Sequence, residues 1–109
     1  MDKTIKIGEQ EVELRCNAFT PILYRQETGL DLLKGFMNMS EDDPDTVLMT
    51  NLTYIMARQA GFKGDLEAFL SQFEMMEFYS ALPEAVQLWA ANAKSTSKPK
   101  KDLGKETAR

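Results

Sequence analysis

A change of hydrophobic period after residue 16 constrains this chain more than any other feature. Thr4-Ile5-Lys6-Ile7 and Val12-Glu13-Leu14-Arg15-Cys16 alternate polar and apolar, the pattern of strands buried on one face. Gly8-Glu9-Gln10-Glu11 between them supplies a turn, with Gly8 free to adopt a positive φ. The reading is a β-hairpin that presents Ile5, Ile7, Val12, Leu14 and Cys16 to a core. Two strands alone are marginal, so helices must cover that face.

From Thr20 onward the apolar period is helical, with clear start and stop signals. Thr20-Pro21 reads as a hydroxyl N-cap followed by proline at the first helical position, and Gly29 as the left-handed stop. Asp31 caps a second short helix, Leu32 to about Met39, that uses Leu32, Leu33, Phe36 and Met37. After the polar break Ser40–Asp43, Asp43-Pro44 repeats the cap-plus-proline start, and Asp45 favours the positive end of the helix dipole. The helix that follows sets Leu48, Leu52, Ile55, Met56 and Gln59 on one stripe, widened by Val47 and Tyr54, and Gly61 ends it. Asp65 caps a helix whose stripe is Leu66, Phe69, Leu70 and Phe73, continued by Met76. Pro83 is expected to break or kink the run near Tyr79–Leu82, since proline lacks the amide and clashes with the preceding turn. A last helix, about Pro83 to Lys94, lines up Leu82, Val86, Trp89 and Ala93, with Trp89 as its core anchor. The fold class is α+β, mostly helical: an N-terminal β-hairpin followed by four or five short helices.

Length and charge set the organisation. With 109 residues the chain fits one domain. Residues 1–93 carry 15 acids against 7 bases, whereas residues 94–109 carry 2 acids against 6 bases. The division is a domain over residues 1–94 and a flexible basic C-terminal tail over residues 95–109, whose one large apolar residue is Leu103. The longest apolar runs, Tyr54–Ala57 and Leu88–Ala91, fall far short of the ~20 residues of a membrane span. The opening residues, with an early Asp2, do not read as a signal peptide.

Missing residue types exclude much chemistry. Without histidine there is no Ser-His-Asp triad, no HExxH zinc site and no histidine-ligated haem. Cys16 is the only cysteine, so an internal disulfide and a cysteine zinc site are both ruled out. Glu41, Asp42, Asp43 and Asp45 could attract Mg²⁺ or Ca²⁺, yet they lack an EF-hand's spacing, and helix capping accounts for them. Glu74 and Glu77 lie one turn apart, as acid–base carboxylates can, but a solvated face explains them better. Gly61-Phe62-Lys63-Gly64 is too short for a phosphate loop, and an acidic body repels nucleic acid. The expectation is a non-enzymatic protein with no cofactor, no metal, no nucleic-acid partner and no membrane partner.

The surplus of methionine and aromatic residues is more informative. Met75-Met76 are neighbours on a helix, about 100° apart, so they cannot share the centre of one buried stripe. Beside Phe78 and Tyr79 they form a candidate partner-binding surface, because methionine adapts its shape to varied apolar partners.

The order of these pieces resembles the tail assembly chaperones of long-tailed (siphovirus-type) bacteriophages. The resemblance is carried by Lys3-Thr-Ile-Lys-Ile-Gly8, Thr20-Pro21-Ile-Leu-Tyr24-Arg25 and Gly29-Leu-Asp31-Leu-Leu33. It continues through Leu52-Thr-Tyr-Ile55-Met56-Ala57-Arg-Gln59-Ala60, Leu82-Pro83-Glu84-Ala85-Val86-Gln-Leu88-Trp89 and the ending Thr96-Ser97-Lys98-Pro99-Lys100-Lys101. It implies a protein of the host bacterial cytoplasm, shed before the virion is complete, that binds the tape measure protein and promotes tail tube assembly. It also implies contact with the tail tube protein through a longer, frameshifted product. Pro99, Lys100 and Lys101 are the candidate frameshift site, since CCA-AAA-AAG contains the slippery heptamer A-AAA-AAG. Self-association into a homo-oligomer is compatible with this reading. The alternative is an acidic phage-encoded inhibitor or adaptor of a host protein, which calls for acids aligned along one exposed face.

Overall fold

The computed structural model describes the backbone of residues 1–96 and the side chains of residues 1–93. The element order is β1 (Asp2–Ile7), β2 (Gln10–Arg15), α1 (Thr20–Thr28), α2 (Leu32–Asn38), α3 (Thr46–Gln59), α4 (Leu66–Leu70) and α5 (Met75–Thr96). The protein is a mostly helical α+β fold, a two-stranded antiparallel hairpin followed by five helices. The tail from residue 97, including Leu103 and Pro99-Lys100-Lys101, lies outside the described residues.

The hairpin turns on Gly8 and Glu9, with Ile7 opposite Gln10 and Gly8 at φ 63°. Its ladder is extended by the chain start. The Met1 ammonium donates to the Cys16 carbonyl at 2.9 Å and the Cys16 amide donates back to the Met1 carbonyl at 2.8 Å. Ile5, Ile7, Leu14 and Cys16 are buried, with Val12 packed at the margin of the core. Helices α3 and α5 cover this inner face. α3 is central: every residue from Leu52 to Ala57 is buried, so it packs on all sides rather than along one stripe.

Polar residues fix the helix ends, in places differently from the sequence reading. Thr20 is the first residue of α1 and caps nothing; Phe19 precedes it without a side-chain cap bond. Instead the buried Thr20 hydroxyl accepts from the Asn17 amide at 3.0 Å and donates to Gln59 Oε1 at 2.6 Å. Gln59 Nε2 in turn donates to Asn17 Oδ1 at 3.0 Å. Gln59, expected on an apolar stripe, thus clasps the end of α3 to the β2–α1 junction. Asp31 and Asp65 cap as expected, accepting from the Lys34 and Ala68 amides. The α3 cap is Asp45, accepting from Leu48, because Asp43 is engaged with Ser40 in a tight turn.

Two further differences concern the second helical half. α4 stops at Leu70, where the Ser71 hydroxyl donates to Glu67 and the Phe73 amide to Leu70. α5 then runs unbroken for 22 residues through Pro83. The carbonyl that Pro83 leaves without a helical donor belongs to Tyr79; both residues are exposed, so water can serve it. The buried stripe of α5 is Phe78, Leu82, Ala85 and Leu88. Val86 and Trp89 sit on its flank, half-buried, and Ala93 is exposed. Trp89 is therefore a side support rather than a core anchor. Its ring stacks on Phe36 of α2 at 5.5 Å between centroids, 10° from parallel.

Candidate functional site

The first turn of α5 stands on an aromatic cluster. Phe69, fully buried, meets Phe62, Phe73 and Phe78 edge-on at 5.2–6.1 Å, and Phe73 stacks on Phe78 at 5.7 Å. Phe78 faces this cluster and is only 4% exposed. It carries the surface from beneath and is not on it. Met75 and Met76 turn the other way and are 67% and 66% exposed. Tyr79 is 43% exposed, with its ring edge-on to Phe78 at 5.7 Å. The sequence-derived set is thus divided: Met75, Met76 and Tyr79 are outside, and Phe78 is buried in the aromatic cluster with its ring against Tyr79.

This turn lies beside the hairpin. Glu77 folds its carboxylate over Gly8 at the hairpin turn, filling the space a Cβ there would need. Lys3 of β1 pairs with Glu84 at 3.6 Å. Between β1 and α5 lies a cleft of about 410 Å³, with Met76 on one rim and Ser80 and Ala81 among its lining. The site therefore offers two unbranched, adaptable side chains and an aromatic ring on a rigid base. It can bind apolar surface. Among the described residues no group of histidine, cysteine or acidic side chains could hold a metal ion, and no helix is long and apolar enough to cross a membrane. Cys16 is buried within the core, and burial raises its thiol pKa.

A second apolar surface was not anticipated. Leu33 and Met37 of α2, expected in the core, are exposed, Met37 by 84%. They lie one turn apart on α2, and the exposed Leu30 sits just before the N-cap Asp31. Leu32 and Phe36, about 100° around the helix from Leu33 and Met37, pack inward, and Gly35 lets α2 approach so closely that the Leu48 methyl occupies the space of a Cβ. Gly35 was the available signal, since a glycine within a helix often marks close packing on its own side. Because Phe36 meets Trp89, 13 positions along α5 from Met76, the two apolar surfaces are roughly 20 Å apart along that helix.

The acids are dispersed. Asp31, Asp45 and Asp65 cap helices, while Glu11 and Glu13 lie on the outer hairpin face opposite Lys6 and Thr4. No protein-family model, curated protein or solved structure matches this chain.

Proposed function

We propose that this chain is a tail assembly chaperone of a long-tailed bacteriophage. It binds apolar helical segments of the tape measure protein, keeps them soluble in the host cytoplasm and promotes tail tube assembly. The family resemblance of the sequence motivates the assignment. The single structural observation that supports it is the exposure of Met75, Met76 and Tyr79 above the buried Phe78. Apolar side chains in solvent on a rigid helix are the anchors that helix recognition needs. The second surface on α2 suits the same partner, because two weak contacts on one long chain reinforce each other. The role is non-enzymatic, and the chain leaves before the virion is complete.

Co-expression with the tape measure protein tests this reading. The wild type raises the soluble yield of that protein. Met75→Glu combined with Met76→Glu abolishes the gain while leaving the melting temperature within about 2 °C, as changes at exposed positions do. An unchanged yield with the double variant would contradict the assignment of this surface.

A further inference from the structure

The hairpin has an open edge next to an aromatic cleft. Met1 and Cys16 exchange both main-chain bonds, so with the observed register the pairs Lys3–Leu14, Ile5–Val12 and Ile7–Gln10 are the inward-bonded ones. The N–H and C=O groups of Glu11 and Glu13 consequently point away from β1. Among the described residues nothing bonds them, and both residues are exposed. Alongside this edge is a cleft of about 290 Å³ whose floor includes Val12, Phe62, Phe69 and Phe73. Gln10 Nε2, donating to the Gln72 carbonyl at 2.8 Å, closes one end. Arg15, donating to the Gln59 carbonyl at 3.4 Å, marks the other.

We propose that the β2 edge binds a short extended segment of a partner protein by strand addition, and that this segment reads basic–apolar–basic. Glu11 and Glu13 can each exchange an N–H···O=C pair with an antiparallel strand. Side chains of that strand facing Glu11 and Glu13 lie on the outer sheet face, where a lysine or arginine opposite each glutamate is favoured. The residue between them faces Val12 on the inner side and enters the aromatic cleft. Unpaired edges commonly carry lysine as protection against strand addition; this edge carries two glutamates flanking a half-buried valine, which admits a basic strand and repels an acidic one. The site is separate from the methionine surface, since it takes an extended segment and not a helix.

Fluorescence anisotropy with the full chain and labelled peptides tests the proposal. A peptide centred on Lys-Val-Lys gives saturable binding, whereas a Glu-Val-Glu peptide binds at least about tenfold more weakly. Methylating the backbone nitrogens of the Lys-Val-Lys core abolishes binding without touching its charge. On the protein side, Glu11→Lys with Glu13→Lys loses the peptide. Glu13→Pro does so too with the circular dichroism unchanged, because that amide is not part of the hairpin ladder. Equal binding of the methylated peptide would show charge attraction alone and overturn strand addition. No saturation by about 1 mM would overturn the site altogether. Preferential binding of a peptide spanning residues 97–109 would overturn the assignment to a partner and give the edge to the chain's own tail.

Discussion

Thr20 shows how one residue can be read correctly as important and wrongly as to role. A Thr-Pro pair signals a helix start, and α1 does start there. The hydroxyl, however, is spent on Asn17 and Gln59, a contact 39 positions away that no local pattern announces. Thr20→Val keeps the shape but leaves the Asn17 amide and Gln59 Oε1 short of a partner. Asn17 is exposed and Gln59 half-buried, so water partly replaces the lost bonds, and a loss of about 0.5–1.5 kcal/mol, read as a lowered midpoint in urea, is expected. Two other buried groups set the pH response. Burial raises the Tyr24 phenol, against a smaller opposing hydrogen bond from Asn51, and burial likewise raises the Cys16 thiol. The folded chain thus keeps protons that the unfolded chain releases, and stability falls as pH rises. The decline begins near the ordinary values, about 8.5 for the thiol and about 10 for the phenol. Urea midpoints measured from pH 7 to 11 fall for the wild type, and less steeply above pH 10 for Tyr24→Phe. A flat profile would contradict the burial.

At the level of elements, existence was legible and rotation was not. The period-two stretch gives the hairpin, and the cap residues Asp31 and Asp65 with Gly29 place helix boundaries. What the sequence leaves open is which face of a short helix turns inward. In α2 the pairs Leu32/Phe36 and Leu33/Met37 are both spaced one turn apart, so the choice falls to tertiary packing. α5 raises the same problem: its buried stripe is rotated from Val86 and Trp89 towards Ala85 and Leu88. At the candidate site the Met75-Met76 pair already argued for an exposed edge. The inward turn of Phe78 depends on Phe69 and Phe73 across a loop and was not legible. Pro83 is the other lesson, because burial of Leu82, Ala85 and Leu88 on both sides of it outweighs its helix-breaking tendency. Proline costs about 3 kcal/mol relative to alanine within a helix, partly offset by its effect on the unfolded chain. Pro83→Ala is therefore expected to stabilise the protein by about 2 kcal/mol in thermal or urea unfolding; a destabilised variant would contradict the unbroken α5.

For the whole molecule, the sequence separates an acidic stretch, residues 1–93, from a basic one, residues 94–109. α5 reaches Thr96, so every element among the described residues precedes Pro99. A ribosomal shift at Pro99-Lys100-Lys101 would append a new segment without altering any of them. The gene should read CCA-AAA-AAG there, with an open −1 frame downstream and a minor, longer product on immunoblots. Codons that break the heptamer, or an immediate −1 stop, would eliminate the shift at this site.

The central claim is that the first turn of α5 receives apolar helices. Seven methionines make it directly observable. In protein labelled with ¹³C at the methionine methyl groups, adding an amphipathic helical segment of the tape measure protein should shift Met75 and Met76 progressively to saturation. Met56, fully enclosed in α3, should remain in place. If Met75 and Met76 stay unmoved while the segment is bound, the surface of α5 is not where this protein holds its partner.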